Sequence, residues 1–242
     1  MKAMILAAGL GTRLKPLTET KPKALAEVNG IPIIEFTIKK LIKCGFEKII
    51  INVHHFPDQI INFLQERNYF GIEIKISDER DLLLDTGGGL KKASAYFDDG
   101  RPFLIHNADI FSEIDLKKFY EFHLKSDSEA TLAVQKRESS RYFLFDEQNI
   151  LCGWKNVKTG EEKITRPPEG NLSALAFSGV QILNPSVLNF MPDKQVFSLV
   201  DFYLSIASKK RISYFDHSDS VFIDLGKKEN LDKAAAFLNG NY

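Results

Sequence analysis

Two hydrophobic periods alternate along the first half of the chain. Residues 3–7 form a short apolar run that closes on Gly9 and Gly11. Ile34, Ile38, Leu41 and Ile42 then recur at i, i+4, i+7 and i+8, one face of an amphipathic helix. Gly45 stands where a left-handed residue would end that helix. Residues 49–53 are almost continuously apolar and β-branched, the composition of a strand covered on both faces. Pro57 opens a second helix to about residue 67, with Ile60, Ile61 and Leu64 inward. A strand at 72–76, a glycine-rich turn into a helix over 86–95, and a strand at 103–106 follow. This β-α-β order predicts an α/β fold with a doubly wound, mostly parallel mixed sheet. Ligands in such sheets bind beyond the carboxyl ends of the strands. Three unusual segments, 7–23, 84–89 and 106–109, fall at those ends.

After about residue 130 the rhythm changes. Strand-like segments at 131–135, 141–145, 150–154 and 174–183 are joined by turn-rich stretches such as Lys158-Thr159-Gly160, which predicts an antiparallel extension of the same sheet. Residues 161–171 are polar, carry Pro167, Pro168 and Gly170, and are expected to form a loop. Helices are expected again at about 197–208 and 228–238. There is no internal repeat, and no appended hexapeptide array is expected at this length.

Composition narrows the function. Among 242 residues, 32 Lys and Arg balance 32 Asp and Glu, which disfavours a surface built to coat nucleic acid. No polybasic cluster suits a membrane surface. A hydrophobic content of 44% with 26% charged residues is too apolar for disorder. Cys44 and Cys152 form neither a metal-ligand spacing nor a disulfide framework. Lys2 and the apolar stretch to Leu10 look only superficially like a leader, because Arg13 and Lys15 occupy the place of a cleavage region. No other apolar run approaches the ~20 residues of a membrane span. A cytoplasmic protein without nucleic-acid or membrane partners is expected; the oligomeric state stays open.

Candidate chemistry begins at residues 6–23. Their glycines let backbone N–H groups approach a polyphosphate, and Arg13, Lys21 and Lys23 add positive charge. The Gly-Lys-Ser/Thr of a Walker A loop is absent. A dinucleotide fingerprint would need a third glycine where Leu14 stands, which disfavours an NAD-dependent dehydrogenase. The run Leu6-Ala7-Ala8-Gly9-Leu10-Gly11-Thr12-Arg13-Leu14, followed by Pro16-Leu17-Thr18 and Lys21-Pro22-Lys23, resembles the signature of the sugar-1-phosphate nucleotidyltransferases. The likeness extends through the chain. Residues 85–89 (Asp-Thr-Gly-Gly-Gly) are similar to the family's second glycine segment, near base and ribose. Asn107-Ala108-Asp109 resembles its metal-binding Gly-Asp element, Phe177-Ser178-Gly179 its sugar-site segment, and residues 222–226 its Trp-x-Asp-x-Gly. Ala108 and Phe222 depart from the usual Gly and Trp, and neither change removes a ligand.

The resemblance implies a Rossmann-like nucleotidyltransferase fold in a single domain over 1–242. Its nucleotide-binding part would cover about 1–130, a sugar-binding extension about 131–220, and a metal-ligand segment with a helix about 221–242. It implies transfer of a nucleotidyl group from a nucleoside triphosphate to a sugar 1-phosphate, with release of pyrophosphate. Leu6, Ala7, Ala8, Gly9, Gly11, Thr12, Arg13, Thr86, Gly87 and Asn107 would bind the nucleotide, and Ser178 and Gly179 the sugar. Asp109 and Asp224 would hold Mg²⁺. Arg13 would neutralise the β- and γ-phosphates, and Lys23 the α-phosphate or the sugar phosphate. The compact length and the Thr-Gly-Gly-Gly segment are most similar to family members that use UTP with N-acetylmuramate 1-phosphate. GTP with mannose 1-phosphate or a heptose 1-phosphate is the alternative.

The attacking phosphate is already ionised at pH 7, so the reaction needs positioning and electrostatics rather than a general base. The absence of any Ser-His-Asp or Cys-His constellation in the sequence agrees with this. Read alone, Asp109 is equally a turn residue or a helix cap, and Asp224 a cap before Gly226. A non-catalytic subunit that senses nucleotide or sugar phosphate is the competing reading. Such a protein should have lost Arg13, Lys23 or an aspartate, and this chain keeps all four. His54 and His55 lack a third ligand for a metal, and a helix entry beside Pro57 explains them as well as a place near the substrates.

Overall fold

The computed structural model describes residues 1–240. In chain order the elements are β1 (Lys2–Leu6), the short pair β2 (Glu27–Val28) and β3 (Ile31–Pro32), α1 (Ile33–Lys43), β4 (Lys48–Val53), α2 (Pro57–Glu66), β5 (Glu73–Asp78), α3 (Asp85–Lys92) and β6 (Phe103–Asn107). There follow β7 (Ile110–Ser112), α4 (Leu116–Lys125), β8 (Ala130–Gln135), β9 (Arg141–Phe145), β10 (Leu151–Asn156), β11 (Glu161–Ile164) and β12 (Ser173–Leu183). α5 (Leu199–Ile206), β13 (Ile212–Asp216), β14 (Phe222–Asp224) and α6 (Lys228–Gly240) complete the chain.

β5, β4, β1 and β6 lie side by side in that order, all parallel. β12 joins β6 antiparallel, β8 joins β12 antiparallel, and β13 joins β8 parallel. β5, β4, β1, β6 and β13 therefore share one direction with β8, and the carboxyl ends of these six strands open on one rim. The strand order reverses between β1 and β6, the switch point where α/β sheets form their ligand crevice. The first half of β12 pairs with β9, which carries β10 and β11 outward as the antiparallel extension.

The sheet's two faces follow the period of two along each strand. Ala3, Ile5, Ile49 and Ile51 face one core, shared with Ile38 of α1, Ile60 of α2 and Phe119 of α4. Met4, Ile50 and Ile105 face the other, with Leu90 of α3 and Phe202 of α5. β4 is buried on both sides, as its apolar run predicts. α1 ends in a Schellman motif: Phe46 N–H donates to the Leu41 carbonyl (3.0 Å) and Gly45 N–H to the Ile42 carbonyl (2.9 Å). Gly45 takes φ +89°, the left-handed value that only glycine adopts without strain.

Two segments differ from the sequence expectation. The polar stretch 161–171 is a loop only in its second part. Its first four residues are β11, which pairs with β10 across the Gly160 turn. α4, which the hydrophobic pattern did not predict, is capped by Asp115, whose carboxylate accepts from Lys117 and Lys118 N–H (3.1 Å each). A third apolar cluster joins Leu14, Val28, Ile33, Leu225 and Ala234, so α6 and the segment before it pack against the loop that follows β1. Among the described residues no helix is long and apolar enough to cross a membrane.

Candidate active site

β1, β4 and β6 end on the same rim, and their loops close around a cavity of about 440 Å³. Leu6, Ala7, Ala8, Gly9, Lys23 and Ala24 line it from the first loop. Asn52, Leu83, Asp85 and Thr86 face them, with Asn107, Ala108 and Asp109 from the end of β6 and Val196 opposite. The first loop is shaped at Gly11, whose φ is +66°. Its carbonyl accepts from Leu14 N–H and from the Thr18 hydroxyl, each at 2.9 Å. A Cβ there would lie 2.8 Å from Thr18 Cγ2 and 2.9 Å from Lys23 Cβ, so the loop folds back on itself only because this residue has none. His55 Nε2 donates to the Thr18 carbonyl (3.0 Å) and His54 Nδ1 to the Glu79 carbonyl (2.7 Å). Both histidines brace loops, and among the described residues they belong to no metal-ligand group.

A buried pair of polar side chains locks the two glycine segments together. Asn52 accepts from Ala7 N–H (2.7 Å) and donates to Glu79 Oε1 (2.7 Å); Glu79 Oε2 accepts from Leu84 N–H (3.3 Å). Both side chains are essentially inaccessible to solvent. Burial raises the Glu79 carboxyl above the usual range, against the lowering effect of the Asn52 hydrogen bond. Gly89 leaves room for this pair: a Cβ would lie 2.6 Å from Glu79 Oε1 and 2.8 Å from Asn52 Nδ2. Asn52 and Glu79 were not among the sequence candidates. The only signal was a polar residue inside an apolar strand.

β7 and β14 bring the two aspartates together across 115 residues of sequence. Asp224 stands opposite Ile110 in the register, and Leu225 N–H donates to the Asp109 carbonyl (2.8 Å). Lys23 forms an ion pair with Asp109, both side chains 16% exposed. Arg13 pairs with Asp224 at 3.4 Å. All of this meets at Gly226, where a Cβ would lie 2.6 Å from Arg13 Nη2 and 2.8 Å from both Asp224 Oδ1 and Lys23 Nζ. Arg13, Lys23, Asp109 and Asp224 are thus one cluster at the edge of the cavity. Lys21, another cation of the loop, pairs instead with Glu27 at 2.8 Å.

The remaining candidates divide between lining and support. Thr86 lines the cavity, and its hydroxyl accepts from Leu199 N–H (2.9 Å). Gly87 lies beneath, buried, with its N–H bonded to the Phe197 carbonyl (2.9 Å). Thr12 is exposed on the turn after Gly11. Ser178 is fully buried and hydrogen-bonded to His217 (2.8 Å). Gly179, at φ +70°, sits in the irregular stretch of β12 against Asn107, whose Nδ2 would be 2.8 Å from a Cβ. Neither Ser178 nor Gly179 lines the cavity; Gly179 backs Asn107, which does. Ala108 keeps a negative φ and donates to the Leu6 carbonyl (3.0 Å), so its methyl is accommodated. Phe222 retains an aromatic ring, covered by the Arg137 guanidinium at 4.2 Å.

The nucleotidyl transferase family model matches residues 2–240. The UTP–glucose-1-phosphate uridylyltransferase of Synechocystis is 30% identical, over 94% of this chain and 60% of its own length. The N-acetylmuramate α-1-phosphate uridylyltransferase of Caulobacter vibrioides is 32% identical, over 87% of this chain and 86% of its own. Several such relatives are longer, and the chain spans about 60% of their length. Among solved structures, HddC from Yersinia pseudotuberculosis complexed with GMP-PN has the same fold, with a TM-score of 0.79 at 24% identity, covering 98% of this chain and 99% of that one.

Proposed function

The chain belongs to the nucleotidyl transferase family, and from that premise we propose that it transfers a nucleotidyl group from a nucleoside triphosphate to a sugar 1-phosphate. A phosphate oxygen of the acceptor attacks the α-phosphorus, the bond from that phosphorus to the β-bridging oxygen breaks, and pyrophosphate leaves. The observation that carries this reading is the convergence of Arg13, Lys23, Asp109 and Asp224 on Gly226, beside a cavity at the strand-order switch. Two polyanions must be brought together there, and two cations already stand at the meeting point.

Each residue has a task its position supports. The first loop wraps the triphosphate, with Ala7 fixed by Asn52 and Ala8 and Gly9 lining the cavity. Arg13, half-exposed at the mouth, meets the β- and γ-phosphates and the pyrophosphate that departs. Lys23, nearly enclosed, holds the α-phosphate or the acceptor phosphate. Thr86 and Asn107 line the nucleotide end.

Asp109 and Asp224 would hold Mg²⁺. Two carboxylates, with no third protein ligand among the described residues, match an ion that completes its octahedron with waters and substrate phosphates. The side-chain-free space at Gly226, between Asp224 and the two cations, supports the same fit. When bound, the ion supplies positive charge at the α-phosphate. Lys23 and Arg13, which balance the aspartates here, would then be released toward phosphate oxygens.

UTP with N-acetylmuramate 1-phosphate is the leading substrate pair. The uridylyltransferase of Caulobacter aligns over 86% of its length, whereas the glucose-1-phosphate enzyme of Synechocystis carries a long additional part. GTP with mannose 1-phosphate or a heptose 1-phosphate is the second pair, favoured by the fold shared end to end with HddC complexed with GMP-PN. A matrix of nucleoside triphosphates against sugar 1-phosphates, scored by Mg²⁺-dependent pyrophosphate release, tests the proposal. Silence across the matrix with nucleotide binding intact would favour a sensor instead.

A further inference from the structure

β8 runs parallel to β6, so its carboxyl end opens on the same rim as the cavity. Arg137 stands two residues beyond that end. Its guanidinium lies over the Phe222 ring, its Nη2 donates to the Phe177 carbonyl (2.9 Å), and its Nη1 makes a long contact with the Glu138 carbonyl (3.4 Å). Its Nε is buried without a partner. Among the described residues no carboxylate comes within ion-pair distance of it; the anion that most favours its charge is Asp224, which is engaged by Arg13. A guanidinium stays protonated at any working pH, and a partly buried charge without a counter-ion is unfavourable unless something anionic joins it.

The position says what that anion is. Phe222 and Asp224 are two apart on β14 and share a face, about 7 Å from each other along the strand. One row of side chains therefore runs from Arg137 on Phe222, through Asp224, to Gly226 with Arg13 and Lys23. Arg13 and Lys23 each answer an aspartate, and Arg137 answers none. The same guanidinium holds the Phe177 carbonyl, at the start of the irregular stretch of β12. It thus sits on the β12 and β14 side of the cluster, away from the loops that line the cavity.

We propose that Arg137 receives an oxyanion of the acceptor, either its phosphate or a carboxylate carried on the sugar, and thereby sets how the acceptor lies across Phe222. The role rests on the nucleotidyl-transfer reading above. The planar fork suits either group, because phosphate and carboxylate both accept paired N–H bonds.

Arg137→Gln and Arg137→Lys test it, with kinetics measured separately against nucleoside triphosphate and against two acceptors: glucose 1-phosphate, and glucuronic acid 1-phosphate with its ring carboxylate. If the wild type turns over neither, N-acetylmuramate 1-phosphate replaces the second. Arg137→Gln is expected to raise the acceptor KM about 10- to 100-fold, with the triphosphate KM within about threefold of wild type. Arg137→Lys, which keeps the charge without the fork, should recover part of the loss. A rise with every acceptor identifies the phosphate as the anion, and inhibition by inorganic phosphate competing with the acceptor should weaken in parallel. A rise confined to the carboxylated acceptor identifies the carboxylate. An unchanged acceptor KM overturns the role while leaving the enzyme reading intact. An equal rise in both KM values with a lowered melting temperature also overturns it, since Arg137 would then only tie Phe177 to Phe222. Absence of turnover by the wild type with every acceptor removes the reaction, and this role with it.

Discussion

Gly226→Ala should uncouple rate from stability. The glycine keeps a negative φ, so its backbone accepts alanine without strain. The new methyl, however, would enter 2.6 Å from Arg13 Nη2 and 2.8 Å from Asp224 Oδ1 and Lys23 Nζ. To regain an ordinary contact of about 3.4 Å, these three groups must retreat by roughly 0.6–0.8 Å. Arg13 and Lys23 can do so by bending flexible ends. Asp224 is less free, because its Oδ1 also accepts from Gly226 N–H (2.8 Å). Displacements approaching 1 Å at a reacting centre slow it by about 10²-fold, or ~2.7 kcal/mol in the barrier. Stability should move little: relief of the unfolded chain's glycine entropy offsets the local crowding by about 0.4–1 kcal/mol. A melting temperature within a few degrees of wild type is therefore expected. Pyrophosphate release under saturating Mg²⁺ and substrates, beside a thermal melt, reads both quantities. Near-wild-type turnover in the alanine variant would show that the convergence on this residue is not where the chemistry happens.

Three further outcomes follow from the same geometry. Asp109→Asn and Asp224→Asn should each reduce turnover by more than about 10²-fold while the melting curve stays cooperative; if both kept normal rates, the metal assignment would be wrong. Asn52→Leu strands Ala7 N–H and one oxygen of Glu79 in a buried place, at about 1–3 kcal/mol for each group. A drop of at least ~2 kcal/mol in urea-unfolding stability is expected, and a change below ~0.5 kcal/mol would remove the clamp from the account. Finally, burial holds His106 and His217 down to about 4, against an ordinary value of 6.5. The unfolded chain thus binds more protons than the folded one between those values. Stability should be intact above pH 6.5 and fall as the pH drops through the window, by up to about 1.4 kcal/mol per pH unit for each histidine. A urea midpoint unchanged from pH 7 to pH 5 would contradict this.

Elements with a one-sided or unbroken apolar signature were legible in the sequence. α1 announced itself by Ile34, Ile38 and Leu41, and ended at Gly45 as expected. β4 needed only its row of isoleucines. β11 was missed because this edge strand is held mainly by its backbone pairing with β10, and Glu161, Glu162 and Lys163 bury nothing that a hydrophobic pattern could register. The first loop and both aspartates were found through a long motif. What sequence could not show was their joining, which depends on β7 meeting β14 and on Leu225 packing beside Leu14. Asn52, Glu79 and Arg137 lay outside the motifs. A buried polar side chain declares its use only when its tertiary partners are in place. Ser178 and Gly179 show the converse: a motif singles them out, yet one side chain is turned into the protein and the other position supports Asn107.

β11 has one more consequence. It is the outermost strand of the antiparallel extension, and its free side offers unpaired backbone groups to any extended peptide that drifts by. At the opposite end of the path, β5 presents the same hazard. Both borders answer it with charge: β11 is four residues long and fully exposed, with Glu161, Glu162 and Lys163, and β5 shows Glu73 and Lys75 to solvent. A foreign strand docking on either would have to strip water from those groups for few hydrogen bonds in return. The polar stretch that looked like mere slack in the sequence therefore helps keep one copy of the sheet from recruiting the next.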